Sequence, residues 1–270
     1  MSDPVFPFSN DDLFTFFAVL VRYSVLITLM PITGDRVVPG PVKILLSLAI
    51  SFALFPALRE QGWVRPADAA IWSATAIGIL STVGLEALAG ALLAFTARIL
   101  FDAVSFGANL ISSFMGYSAA TFFDPHFENQ TQVLSEFQMA LVMLCFLALD
   151  GHHLLLRAAL ESYQWVGLGG ASIGPLVVAR LTEMTSQLIF LGIRISAPIG
   201  ISLFGVNVAF GVLARTMPQM NILVLSFSIT ALVGFVVLLS GVPEWLGAST
   251  IIVGWTGDWM SSMARALSGR

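Results

Sequence analysis

Six apolar stretches, at about 13–30, 43–58, 70–101, 134–156, 177–213 and 222–242, occupy most of this chain and limit what it can fold into. A membrane-spanning helix needs about 20 apolar residues. The second stretch is short for that, and the third and fifth are too long. Ala70 to Phe101 as one helix would rise about 48 Å at ~1.5 Å per residue, well past a hydrocarbon core of about 30 Å. In the fifth, Ala197-Pro198-Ile199-Gly200 predicts a kink or a break, because proline removes a backbone hydrogen bond. The expected fold is an all-α membrane protein of about six long, partly broken apolar helices. Of 270 residues, 57% are hydrophobic and only 10% charged, against about 25% charged in soluble domains. A bilayer or a large hetero-assembly must cover part of such a chain.

The N-terminus, MSDPVFPFSNDDLF, is acidic where a secretory signal would be basic. Leu13 to Met30 therefore reads as a retained helix, with Ser9, Asn10 and Asp11 as candidate caps. Lys and Arg are spread too thinly among the loops to set an orientation, although the Lys/Arg-free N-terminus favours the outside. The formal net charge of -4 gives no basic patch for nucleic acid. The one cysteine, Cys145, can form no internal disulfide and reads as a small buried hydrophobe.

Charges within or beside apolar stretches are the informative residues: Arg22, Glu86, Arg98, Asp102, Asp150, Arg180, Glu183 and Arg194. Facing lipid at a helix centre, each would cost at least ~2.5 kcal/mol. Arg180, Glu183, Gln187 and Arg194 share a stripe some 60° wide at about 100° per residue, which should face protein or a water-filled path. Arg98 and Asp102 have i, i+4 spacing and could pair. Structural ion pairs between helices explain such charges as well as a transport role does. Ala74/Gly78, Gly90/Ala94 and Ser196/Gly200 have the small-xxx-small spacing that allows helices to approach closely.

Residues 105–130, SFGANLISSFMGYSAATFFDPHFENQ, carry no Lys or Arg and are rich in Gly, Ser, Phe and Met. An apolar loop should be buried or line a cavity. Phe106, Phe114, Met115, Tyr117, Phe122 and Phe123 could form a compliant seal. A re-entrant filler segment or an ordinary amphipathic helix is also compatible. No catalytic pattern stands out, so no enzyme activity, cofactor or metal is expected. Asp150-Gly151-His152-His153 lacks a second ligand cluster and reads as a helix-end cap with two interfacial histidines. No P-loop or GxGxxG is present.

Gly211-Val-Leu-Ala-Arg-Thr-Met-Pro-Gln-Met-Asn221 resembles the G-x-x-x-R-x-x-P-Q-x-N signature of the FliR family. These are the R-type subunits of the flagellar protein export gate, similar to the T-type subunits of virulence type III secretion. Arg22, Pro31, Pro39, Lys43, Pro56, Glu86 and Gly90 follow in the expected order. Gly116-Tyr-Ser-Ala-Ala-Thr-Phe-Phe-Asp-Pro125 resembles the family's G-x-S-x-A-T-x-x-D-P stretch. Gly151-His152-His153 followed by LLLRAALESY also matches, so the resemblance covers about residues 10 to 245.

The resemblance implies a channel subunit in the inner membrane, within the flagellar basal body. It would assemble with P-type and Q-type subunits and pass unfolded flagellar proteins. A P-like helical part, 1–195, would precede a Q-like hairpin at 196–245 and a tail at 246–270. The region 105–121 would plug the closed pore, with Phe106, Gly107, Phe114, Met115, Gly116 and Tyr117 as candidates. Arg22, Glu86, Arg98, Asp102, Arg180, Glu183 and Arg194 would be subunit contacts or interior charges. The hairpin turn would carry Arg215, Pro218, Gln219 and Asn221, with Arg215 and Gln219 near the substrate-specificity switch subunit. A virulence T-type subunit and a stand-alone secondary transporter are the alternatives.

Overall fold

The computed structural model describes residues 9–31, 38–116, 128–217, 219 and 222–269. Every regular element among them is helical. α1 spans Asn10–Leu29 and α2 spans Gly40–Glu60. A 3-10 turn at Pro66–Asp68 and the short α3, Ala69–Trp72, precede α4, Ala76–Phe114. α5 spans Glu128–Ala148 and α6 spans Gly151–Trp165. α7 spans Pro175–Thr216, α8 Ile222–Ser240 and α9 Val242–Leu267. Four of these helices are long and apolar enough to cross a membrane, or five if the broken pair α5/α6 counts as one span.

The helix ends follow local chemistry. Ser9 caps α1: its hydroxyl accepts the Asp12 N–H at 3.1 Å, while the Ser9 N–H donates to the Asp12 carboxylate at 3.0 Å. This reciprocal pair satisfies two donors that the first turn would leave open. Thr75 accepts the Gly78 N–H at 3.1 Å and so starts α4 where the third apolar stretch has no break of composition. Residues 73–75 separate α3 from α4, so that stretch is broken near its start. The overlong helix is still there, displaced toward the C-terminus: α4 has 39 residues. The fourth stretch is broken at Asp150, a non-glycine residue at φ 57°. There a Cβ on Gly151 would run into the Phe146 ring.

Of the kink or break expected at Pro198, the break is absent: α7 continues through it as one helix of 42 residues. Proline removes a single helical hydrogen bond, and helices in apolar surroundings tolerate that when nearby groups compensate. The segment after residue 245, which carries no recognisable motif, is helical in α9.

Two compact units divide the chain. One comprises residues 1–98, 152–184 and 255–270, and the other 99–151 and 185–254. The overlong α4 and α7 each contribute to both. Within the first unit α1 packs on α2, with the Phe16 and Phe55 rings edge-to-face at 5.6 Å and Arg59 paired with Asp12 at 3.1 Å. In the same unit the Ser172 N–H donates to the Leu267 carbonyl at 2.9 Å, which ties α9 down.

Glycines on α4 separate packing from mere composition. A Cβ at Gly90 would collide with the Arg22 backbone carbonyl, whereas one at Gly84 would meet open space. Gly84→Ala should therefore be neutral or stabilising by up to ~1 kcal/mol, and Gly90→Ala destabilising by about 1–3 kcal/mol. Thermal unfolding midpoints of the two variants check this contrast.

Candidate functional site

Arg22 and Glu86 lie on α1 and α4, each within an apolar run, and both are buried, at 1% and 0% exposure. Neither could remain charged there alone, since an isolated buried charge costs several kcal/mol. They meet in a two-pronged pair: Arg22 Nε to Glu86 Oε2 at 2.7 Å and Nη2 to Oε1 at 2.9 Å. The remaining donors are almost all used as well. Nη1 donates to the Ser162 hydroxyl at 3.1 Å, and Nη2 to the Val166 carbonyl at 3.1 Å. The guanidinium carbon lies 3.7 Å from the Tyr163 ring centroid, a cation–π contact on a desolvated ring.

Glu86 also accepts the Gly169 N–H at 2.8 Å. Gly169 sits at φ 65°, where an L side chain is strained, and a Cβ there would stand 3.2 Å from the Thr82 hydroxyl. Gly90 lets α4 reach the α1 backbone one turn from the pair. The cluster thus binds α1, α4, α6 and the 166–169 turn with every charge matched. Chemically it is a clamp: the charges cancel, and donors and acceptors face each other instead of an open path. The sequence singled out both residues but not their union. Two lone opposite charges in separate apolar runs were the available signal, while Ser162 and Tyr163 stood only as the end of the matched LLLRAALESY segment and Gly169 carried none.

The second unit holds most of the plug candidates, and there the expectation needs correction. Residues 105–114 are not a loop but the last turns of α4. Their Gly, Ser and Phe content serves close helix packing. A Cβ on Gly107 would stand 2.8 Å from the Gly192 carbonyl oxygen on α7, and one on Gly192 would stand 2.5 Å from the Phe106 ring. Phe114 fills the gap beside Gly200 and Met115 the one beside Gly234 on α8, where an added Cβ would come within 2.7 and 2.6 Å. Met115 is fully buried, and Phe114 is 41% exposed.

Gly116, at φ 84°, ends α4 in the left-handed conformation common at helix C-termini. Its N–H donates to the Ser113 carbonyl at 3.1 Å. The Thr230 hydroxyl on α8 lies 3.4 Å from the Met115 carbonyl, while its shortest bond, 2.8 Å, goes to the Ser226 carbonyl within α8. Ser112, Ser135 and Asn109 join α4 to α5 through hydrogen bonds of 3.2 and 3.0 Å. Tyr117, Phe122 and Phe123 lie outside the described residues.

The other charges are less buried than expected. Arg180 and Glu183 pair with each other at 2.7 Å, each roughly half exposed. Gln187 is half-buried and Arg194 exposed, so the α7 stripe is not enclosed by this chain. Arg98 is exposed and Asp102 half-buried. His152 and His153 open α6 with ring centroids 4.0 Å apart. Arg215 stands exposed in the last turn of α7, where a cation is favourable, and Gln219 is exposed in the turn beyond. Pro218 and Asn221 lie outside the described residues.

Apolar residues also face outward in bulk: Ile71, Ile77, Leu80, Ile201 and Phe204 are each 71–81% exposed. A clamp of buried charges, glycine-lined seams and such uncovered apolar faces define a helical integral membrane protein.

The chain belongs to the bacterial export proteins, family 1, whose pattern matches residues 13–253. It is 31% identical over 228 residues to the flagellar biosynthetic protein FliR of Escherichia coli, covering 84% of each chain. The FliR of Bacillus subtilis is 28% identical over 232 residues, 84% of this chain and 86% of its own. That of Buchnera aphidicola subsp. Baizongia pistaciae is 25% identical over 252 residues, 92% and 95%.

Glu86→Gln keeps the shape of the acid but leaves Arg22 buried without a counter-charge. It should cost about 3–5 kcal/mol, read as a drop in chain level and in protease resistance in isolated membranes.

Proposed function

We propose that this chain is a core channel subunit of the flagellar type III export gate. It assembles with P-type and Q-type subunits and passes unfolded flagellar proteins across the inner membrane at the basal body. The single observation that carries this is family membership over residues 13–253, joined to similarity to flagellar FliR proteins over 84% of each chain for the Escherichia coli relative. The uncovered apolar faces suit a subunit whose neighbours finish its packing. The relatives quoted above are flagellar, which favours that use over a virulence T-type role. A stand-alone transporter would have to leave those faces to lipid alone.

On this reading the α4 end closes the pore. Phe114 and Met115 sit where α4 gives way to residue 117 onward, in contact with glycines of α7 and α8. Closure by a packed helix end differs from closure by a free loop. It can be opened by sliding bulky side chains off glycine surfaces, without unfolding a backbone. Residues 196–245 would form the Q-like hairpin, with Arg215 and Gln219 offered to the switch subunit from its exposed turn. A P-like part ending at 195 would meet that hairpin inside one continuous helix.

The test is co-isolation together with leak. The full chain should be captured with P-type and Q-type subunits from flagellated cells. The double variant Phe114→Ala/Met115→Ala should preserve that complex yet raise membrane permeability to ions and small solutes. An intact complex with unchanged permeability would reject the closure role, and a chain that captures neither subunit would reject the gate itself.

A further inference from the structure

The first turn of α6 gathers more coordinating chemistry than a helix start needs. Asp150, His152 and His153 each offer one donor atom, and the three donors lie within 4.8 Å of one another. Neighbouring positions on a helix point about 100° apart and do not ordinarily face each other. The His152 and His153 rings converge all the same, with centroids 4.0 Å apart and planes at 38°. A second observation concerns His152 alone. This residue is half-buried, and its Nδ1 is shielded from solvent with no hydrogen-bond partner. Such a nitrogen has given up water without a replacement, which is unfavourable unless something else meets it. In the sequence these residues lack a second ligand cluster. Their convergence and the orphaned nitrogen are facts of the structure.

We infer that Asp150, His152 and His153 form a binding site for one divalent transition-metal ion, with zinc the ion that fits best. Two imidazoles and a carboxylate are a donor set that zinc accepts, and three protein ligands leave its fourth position to water. Magnesium and calcium take oxygen donors, so the paired histidines select against them. Tetrahedral zinc holds its donors at about 2.0–2.2 Å and so sets them about 3.4 Å apart. The three donors therefore need to close by about 1.4 Å at most, which side-chain rotation at Asp150 and His153 supplies. Both of these residues are exposed, so an ion reaches the site from solvent. All three ligands come from four consecutive residues, and one stretch of backbone sets the shape of the site. The bound ion pins Asp150, at φ 57°, to the turn that starts α6. At that backbone conformation glycine is unstrained and aspartate is only tolerated.

The experiment uses the full chain, purified in detergent through a tag without histidine, with the subunits that accompany it. The sample is stripped with a chelator, dialysed and titrated with cobalt(II) alone, then with zinc alone. One equivalent of cobalt per chain should bind and give the visible bands of low-coordinate cobalt, and zinc should bleach them. His152→Ala, His153→Ala and Asp150→Gly should each weaken binding by about tenfold or more. Asp150→Gly separates ligation from folding, because it relieves the backbone while it removes a donor. That variant should keep its resistance to limited proteolysis and still lose the cobalt bands. Absence of the bands from the unsubstituted chain would overturn the inference and leave a plain helix start. Bands that survive any of the three substitutions would also overturn it, because the ion would then sit elsewhere.

Discussion

A guanidinium and a carboxylate 2.7 Å apart, with 1% of either side chain exposed, set the terms on which the first unit can exist. Taken from water separately, each would be prohibitive; held together with Ser162, Val166 and Gly169, they offset one another. The geometry this requires reaches well beyond the two residues. α4 must pass close enough to α1 that only glycine fits at position 90. The 166–169 turn must present an N–H from a left-handed position, which Gly169 permits. Tyr163 must set its ring centroid 3.7 Å from the guanidinium carbon. One electrostatic constraint thereby fixes the separation, register and neighbour of three helices, in surroundings where apolar contact specifies little, because lipid is as apolar as leucine.

The second unit solves the same problem by shape. Gly107, Gly192, Gly200 and Gly234 remove side chains where Phe106, Phe114 and Met115 need room, and serine hydrogen bonds finish the seam. Contacts of this kind are close but not charged, so they separate at lower cost than the Arg22 clamp. A division of labour between a charge-locked unit and a glycine-lined one would suit the proposed channel role, in which a subunit holds its place in an assembly while part of it yields.

Much of this was legible in the sequence, and what was missed had physical reasons. Apolar length and sparse charge indicated membrane helices, and the Ser9–Asp12 cap stood in the N-terminal sequence. Arg22 and Glu86 drew notice as costly charges, but a pair 64 residues apart is a tertiary fact with no local trace. Residues 105–114 could be read as an apolar loop, a re-entrant segment or an amphipathic helix, because glycine and serine are loop residues in water. Between helices the same residues permit contact, and here they lie within α4. Pro198 read as a kink or a break by the rule for isolated helices, and one lost hydrogen bond did not end α7. The charge stripe on α7 was expected to face protein or a water-filled path; within this chain Glu183 and Arg194 are exposed and Arg180 and Gln187 half-buried.

The claim that the rest depends on is that Arg22 and Glu86 matter to each other and not to a water path or an outside ligand. A double-mutant cycle in isolated membranes, with resistance to limited proteolysis as the readout, tests it directly. Arg22→Met and Glu86→Leu should each destabilise strongly, while the double variant, which removes both charges, should regain most of the loss. Losses that simply add would contradict the account, because the two charges would then be serving separate partners.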